Sequence, residues 1–334
     1  MGEMTRIQNR YFITAMLASI LLSFWGVFRF ISFLPVLIFA LKTDDQQKSK
    51  VSLVMATVLI LFLDIFKLRD LLEVPGGEGI IALEFLSVLI PSSAVILWFF
   101  MRNRTSLVRF LAGTAVGVAV ALIYALWLTR PAGAAARELL GSGLIQSLEA
   151  VTQMLSSGGL QAPSLLPAGI TIETVLHITG IVFLALIVPF VMVWVGFLIF
   201  VAILAARKND PDLTKRVALW RLPQKFIWIF LGSLALVLWD RIQGIPIGAL
   251  VLGLNILMGS VVLYMMQGFS ILVFLIARRF PGVRVSGLFI RCIVFSLFPF
   301  LSIVVMLGLP LLGISETWIE FRRTSKEFEY ENHS

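Results

Sequence analysis

Arg29, Asp64, Glu84, Glu173, His177, Asp240 and Arg241 each lie inside, or at the edge of, a long apolar stretch. A charged group at the centre of a membrane helix costs about 2.5–3.5 kcal/mol on insertion scales, so each of these residues needs a physical reason. One reading makes them boundary residues that reach lipid headgroups or cap helices. The other is a mixed-charge pocket open to the outside, in which Arg29 or His177 pairs with Asp64 or Glu84. Such a pocket offers a small polar solute both signs of charge. Glu84 suits the boundary reading least, because continuous apolar sequence follows it. Asn255 lies deeper in its stretch, and its amide either hydrogen-bonds between helices or meets a ligand. The candidate solute-binding set is therefore Arg29, Asp64, Glu84, His177 and Asn255.

A second group is exposed by its composition. The connection 207–225 carries Arg207, Lys208, Lys215, Arg216, Arg221 and Lys225. Positive charge there serves membrane orientation and contact with anionic lipid, at roughly 1 kcal/mol per residue near the surface. The alternative is docking of a cytoplasmic protein partner, with Arg207, Lys208, Lys215 and Arg216 as the contact residues.

Other chemistries are excluded by what the chain lacks. It has no Walker-type phosphate loop, no HExxH, no Gly-x-Ser-x-Gly and no Cys/His cluster. The single cysteine, Cys292, cannot form an intramolecular disulfide or a Cys-rich zinc site, and the two histidines are His177 and His333. The ladder of arginines expected of a voltage sensor is missing as well. We expect no classical enzyme, no cofactor and no bound metal. The net charge of +8 follows from membrane orientation, so no nucleic-acid partner is expected.

The elements that position these residues follow from composition. Of 334 residues, 59% are hydrophobic and 14% charged, with mean hydropathy +0.98. Soluble domains run near 45–50% apolar and about 25% charged, so this chain cannot coat a water-soluble globule. The sequence predicts an all-α, polytopic transmembrane bundle. Stretches 11–41, 51–66, 79–101, 107–129, 172–206, 225–241, 245–278 and 286–314 supply eight or nine spans. Arg6 and Arg10 precede the first run, and Trp25, Phe28, Arg29 and Phe30 follow it where a cleavage site would need small residues, so that span is retained. Stretch 11–41 is either a hairpin turning near Arg29 or one long tilted helix. Stretch 51–66 is short for a crossing, and 286–314, with Pro299 and Pro310, is a candidate for a break.

Lysine and arginine set direction. Fifteen lie in 42–50, 102–109, 207–225 and 278–284, against five in the opposite loops, Lys67, Arg69, Arg130, Arg137 and Arg241. The first set is expected on the cytoplasmic face of a bacterial inner membrane. A hairpin at 11–41 adds Arg6 and Arg10 to that set. A single crossing at 286–314 would put Arg322, Arg323 and Lys326 outside, whereas a hairpin there returns them, and both stay open. The external connection 130–171 contains Leu140, Leu144, Leu148, Val151 and Leu155 at helical spacing, which predicts an amphipathic helix on the outer surface or over the bundle. Thr171 is placed to cap the span that follows. The domain reading is a membrane bundle at 1–207, a basic loop at 208–224, further membrane helices at 225–314 and a polar, frayed tail at 315–334.

Finer signals concern helix contacts. Gly113, Gly117 and Ala121 form a small-residue stripe of the kind that lets helices approach. Pro91-Ser92-Ser93 predicts a kink whose freed carbonyl the serines satisfy, and Pro189 predicts a similar break. Around Gln267 and Gly268 a bend or a close helix approach is expected.

The strings Leu254-Asn255-Ile256-Leu257, Leu263-Tyr264, Gln267-Gly268, Leu311-Leu312-Gly313-Ile314 and Trp318-Ile319-Glu320-Phe321-Arg322-Arg323 resemble the bacterial YybS-like family of multi-spanning membrane proteins. That resemblance covers most of the chain. Glu316 departs from it, since the family more often has Asp there, closer to the preceding Gly. The family is distantly similar to the S components of energy-coupling factor transporters, six-helix bundles with an outward-facing cavity, and to a rod-shape membrane protein. Residues 11–206 would suit the six-helix plan, with the outer charges near its cavity. The Ala-x-x-x-Ala motif of the first helix is absent, because Ala15 is followed by Ala18 and Ser19, and the helices of 225–314 have no counterpart. The resemblance itself implies little about activity, because the family has no agreed function, and docking to a shared energising module is not expected. Small-solute binding or transport is expected from the clustering of charges in the outer half of the spans. The alternative function is a non-transport scaffold that recruits a cytoplasmic or envelope-assembly partner.

Overall fold

The structure, a computed structural model, describes residues 2–43, 45–157, 172–208, 210, 212–280, 282–319 and 321–322. These residues form twelve α-helices joined by short 3₁₀ turns, with no strand among them. Six of the helices are long and apolar enough to cross a membrane, and shorter apolar helices accompany them. The chain divides into two compact units, 1–187 and 188–334, with the boundary inside the seventh helix.

The first unit begins with a hairpin. α1 (Gly2–Phe24) ends where Trp25 turns extended, a 3₁₀ turn spans Gly26–Ile31, and α2 (Leu34–Lys42) starts with Pro35 in its first turn. The long tilted helix considered for 11–41 is therefore not formed. α3 (Gln46–Lys67) is 22 residues, about 33 Å at 1.5 Å per residue, which corrects the expectation of a short crossing at 51–66. The extra turn exists because the Asp45 side chain accepts from the backbone N–H groups of Gln47 and Lys48. α4 (Gly77–Phe100) and α5 (Ser106–Thr129) pack closely: Gly113 faces the carbonyl of Ala94, where an added Cβ would stand 2.7 Å away. The small-residue stripe is buried as expected, and Tyr124 fastens the same pair through a 3.0 Å bond to the Gly79 carbonyl.

Pro91 leaves α4 a continuous helix, and the serine prediction needs a correction. The hydroxyls of Ser92 and Ser93 donate to Leu89 and Ile90, three residues back, and do not reach the Ser87 carbonyl that Pro91 deprives of a donor. α6 (Ala134–Ser157) is the helix expected in the outer connection. Its start is pinned by Ala136 against Gly79 and by Arg137, which donates to the Leu128 and Arg130 carbonyls at the end of α5. The side chains of Leu144, Leu148, Val151 and Leu155, and residue Thr171, lie outside the described residues. The first turns of α7 (Ile172–Ala206) complete this unit.

The second unit holds the rest of α7, then α8 (Asp212–Ala218), α9 (Phe226–Gln243), α10 (Ile247–Arg279), α11 (Val285–Ser296) and α12 (Pro299–Ser315). The stretch 286–314 breaks at Leu297-Phe298, ahead of Pro299, into helices of about 18 and 25 Å, each short of a full crossing. α10 and α12 touch backbone to backbone. A Cβ on Gly268 would lie 1.8 Å from the Leu309 carbonyl, and one on Gly313 2.1 Å from that of Tyr264. That is the close approach expected at Gln267-Gly268. A phenylalanine cluster, Phe200, Phe269 and Phe289, joins α7, α10 and α11.

Candidate functional site

The Gly26–Ile31 turn has the order of exposure expected of a protein in lipid, apolar side chains out and the charged one in. Trp25, Phe28 and Phe30 point outward, 67%, 44% and 48% exposed, while Arg29 is turned inward at 5%. The hydrogen bonds that close the turn, Arg29 N–H to Trp25 O and Ser32 N–H to Arg29 O, set that orientation. Opposite it, α3 buries Ser49, Leu53, Ala56, Thr57, Ile60 and Asp64 at spacings of three and four, so Asp64 is the last member of a buried stripe. Glu84 lies two turns into α4. The start of that helix is held by Gly76 at φ 84° and by the Gly77 contact with the Leu71 carbonyl, an approach that a side chain would block.

These elements bring Arg29, Asp64 and Glu84 together. Asp64 takes the guanidinium as a fork, Oδ1 from NH1 at 3.2 Å and Oδ2 from NH2 at 2.6 Å. Glu84 approaches NH1 through Oε2 at 3.0 Å, and its backbone carbonyl accepts from NH2 at 2.9 Å. Nε donates to the Ser87 hydroxyl, which itself donates to the Glu84 carbonyl. The guanidinium thus makes four hydrogen bonds, and the Glu84 carboxylate adds an ion pair at NH1. The Asp64 side chain is 4% exposed and that of Glu84 is 35% exposed, so the buried cluster opens on its Glu84 side. Formal charges sum to −1, one base against two acids.

The other expected residues do not join it. His177 is exposed on α7 and takes no part in the cluster, so of the two bases considered Arg29 makes the pair. The Glu173 side chain lies outside the described residues. Asn255 is buried in the second unit, where Oδ1 accepts from Val188 N–H at 3.0 Å and Nδ2 donates to Val251 at 2.9 Å. Pro189 disturbs the α7 ladder at that point, and the amide ties the disturbed segment to α10. Asp240 caps the α9–α10 turn by accepting from Ile245 N–H, as a boundary residue should. In the basic connection Asp210 lies between Arg207 and Arg216, at 3.8 and 3.7 Å, while Lys208 and Lys215 are exposed.

A second polar cluster was not foreseen. Arg322 lies in the segment expected to fray, yet its side chain is fully buried. It forks onto Glu316, with Nε at 2.6 Å from Oε1 and NH2 on Oε2, and NH1 donates to the carbonyls of Ala218 and Trp220. Gln267 donates to Glu316 Oε2 at 3.0 Å and to the Gly313 carbonyl, and accepts from Leu222 N–H. Glu316 and Arg322 are therefore packed rather than frayed, because a buried carboxylate and two orphan carbonyls supply Arg322 with partners. They end against 218–222, the basic connection. The only sequence signal was a Glu and an Arg six residues apart after an apolar helix, a spacing without a periodic meaning.

No curated protein and no solved structure matches the chain. One family model does, that of the predicted membrane protein family DUF2232, and the match runs over residues 11–310. Since most of the chain, including Arg29, Asp64 and Glu84 but not Glu316 or Arg322, falls in that range, the chain belongs to this family of membrane proteins.

Proposed function

We propose that this membrane protein binds or moves a small solute, and that Arg29, Asp64 and Glu84 form its polar centre. The observation that carries this reading is the charge balance of the cluster: one buried guanidinium, one sealed carboxylate, and a second carboxylate one-third exposed. Ionisable groups inside apolar spans are costly and serve pathways and binding sites more often than stability. The surplus negative charge on Glu84 selects a ligand with a positive group, or a proton, as the natural complement. The orientation argued from lysine and arginine puts this end of the first unit toward the outside of a bacterial inner membrane. The distant similarity of the YybS-like family, which the sequence resembles, to transporter S components supports solute binding, although that family itself has no agreed function.

The test is native mass spectrometry of protein purified gently from membranes, with identification of small molecules released on denaturation. Glu84→Gln keeps the Asp64 fork and the fold but should release at least tenfold less of the bound species. Equal release from the variant and the parent protein would sink the proposal.

A second reading, a scaffold for a cytoplasmic or envelope-assembly partner, draws on the exposed Lys208 and Lys215 and on the way Arg322 immobilises the neighbouring 218–222 backbone. Neutralising Arg207, Lys208, Lys215 and Arg216 together should then abolish co-purification of a stoichiometric protein. A partner that stays bound to the neutralised variant rejects that role for the loop.

A further inference from the structure

In the second unit the Glu316 carboxylate is already spent. Arg322 occupies both of its oxygens and Gln267 adds a third donor. Arg221 stands 3.8 Å from Glu316 Oε1, beyond hydrogen-bonding length, with 48% of its side chain exposed. Two guanidiniums thus face one carboxylate, and the surplus positive charge sits on Arg221. Beside it is a cavity of about 50 Å³ lined by Arg221, Leu222, Pro223, Gln224, Tyr264 and Gln267, with Glu316 and Thr317 closing it. By the same measure one water needs about 10–15 Å³, so there is room for a larger polar group.

The cavity opens where α9 begins, and α9 is the barest of the six long apolar helices: 11% of its most apolar window is buried. Trp228, Leu231, Leu238 and Ile242 are all exposed, and their spacing puts them on one face of the helix. Lys225, exposed at the head of that helix, adds positive charge. We propose that Arg221 and this cavity hold the phosphate of an anionic phospholipid whose acyl chains lie along that stripe. A free phosphate would satisfy Arg221 but leave the stripe unused. A zwitterionic headgroup would leave the surplus charge uncompensated.

Native mass spectrometry in detergent tests this with three probes: phosphatidylglycerol, phosphatidylcholine and sodium phosphate. The expected result is one retained phosphatidylglycerol, preferred over phosphatidylcholine, with retention about fivefold weaker in Arg221→Gln. Arg221→Lys, which keeps the charge, should retain the lipid. A triple variant with Lys208, Lys215 and Arg216 all changed to Gln should also retain it, because those residues lie outside the cavity. Undiminished retention in Arg221→Gln overturns the proposal. So does an equal loss in the triple variant, which would mean a diffuse basic surface. Displacement of the lipid by millimolar sodium phosphate would overturn the assignment to a lipid as well.

Discussion

The two units contain the same motif, a guanidinium forked onto a buried carboxylate, and complete it in opposite ways. In the first, Arg29 serves Asp64 and Glu84, so the cluster carries one negative charge too many and opens through the one-third-exposed Glu84. In the second, Glu316 serves Arg322 and Arg221, so the excess is positive, and the fully buried Arg322 spends its other donors on backbone carbonyls. A buried ion pair is weak evidence of stabilisation, because desolvation offsets much of the Coulomb gain. What differs is the third member. Where it is a carboxylate on a packed helix, the cluster is suited to taking up a positive group. Where the partners are main-chain carbonyls, the arginine fastens one segment of chain to another.

The largest expected effect comes from Arg29→Leu. It leaves Asp64 and Glu84 facing each other without a base, and should cost on the order of 3–5 kcal/mol, read as lost thermal stability and poor recovery in detergent. Replacing Arg29, Asp64 and Glu84 together by Leu removes the whole cluster and should restore most of that stability while abolishing ligand retention. A triple variant as unstable as Arg29→Leu would mean the cluster is structural, and the contrast with the second unit would disappear.

Arg322→Leu ranks next, at about 3 kcal/mol, since it leaves Glu316 buried with Gln267 and frees the Ala218 and Trp220 carbonyls. Its signature is local. Trypsin should cut faster after Arg221 and Lys225, with unchanged cutting after Arg102 and Arg104 in the first unit. Uniform acceleration at both places would argue against a fastening role. Gly268→Ala should cost roughly 1–3 kcal/mol, because its Cβ would collide with the Leu309 carbonyl and a backbone atom cannot step aside cheaply. Arg216→Gln should be nearly silent, within about 0.5 kcal/mol, as an exposed 3.7 Å pair is worth little.

Most of the architecture was legible before any coordinates. Apolar stretches of helix-spanning length have one stable form in lipid, because every backbone group must be satisfied within the segment. Stretch length, hydropathy and the Gly113-Gly117-Ala121 stripe are local properties, and they predicted the helical bundle and a contact face on α5, though not its partner α4. Asp64 and Glu84 stood out because a charge in an apolar run is itself a local anomaly. The true start of α3 was harder to see, since it depends on one capping carboxylate, that of Asp45.

Only the tertiary structure decided the pairings. Nothing in the sequence near Arg29 says that its fork belongs to Asp64, 35 residues on, or that the Ser87 hydroxyl accepts from its Nε. His177 carried the same credentials in sequence and proved to be exposed on its helix. Arg322 carried none, because a polar tail residue becomes a buried one only when a distant backbone offers carbonyls at the right distance. Hydrophobicity sorts each segment by its own composition. Which charge meets which depends on side-chain directions across helices that are neighbours in space and strangers along the chain.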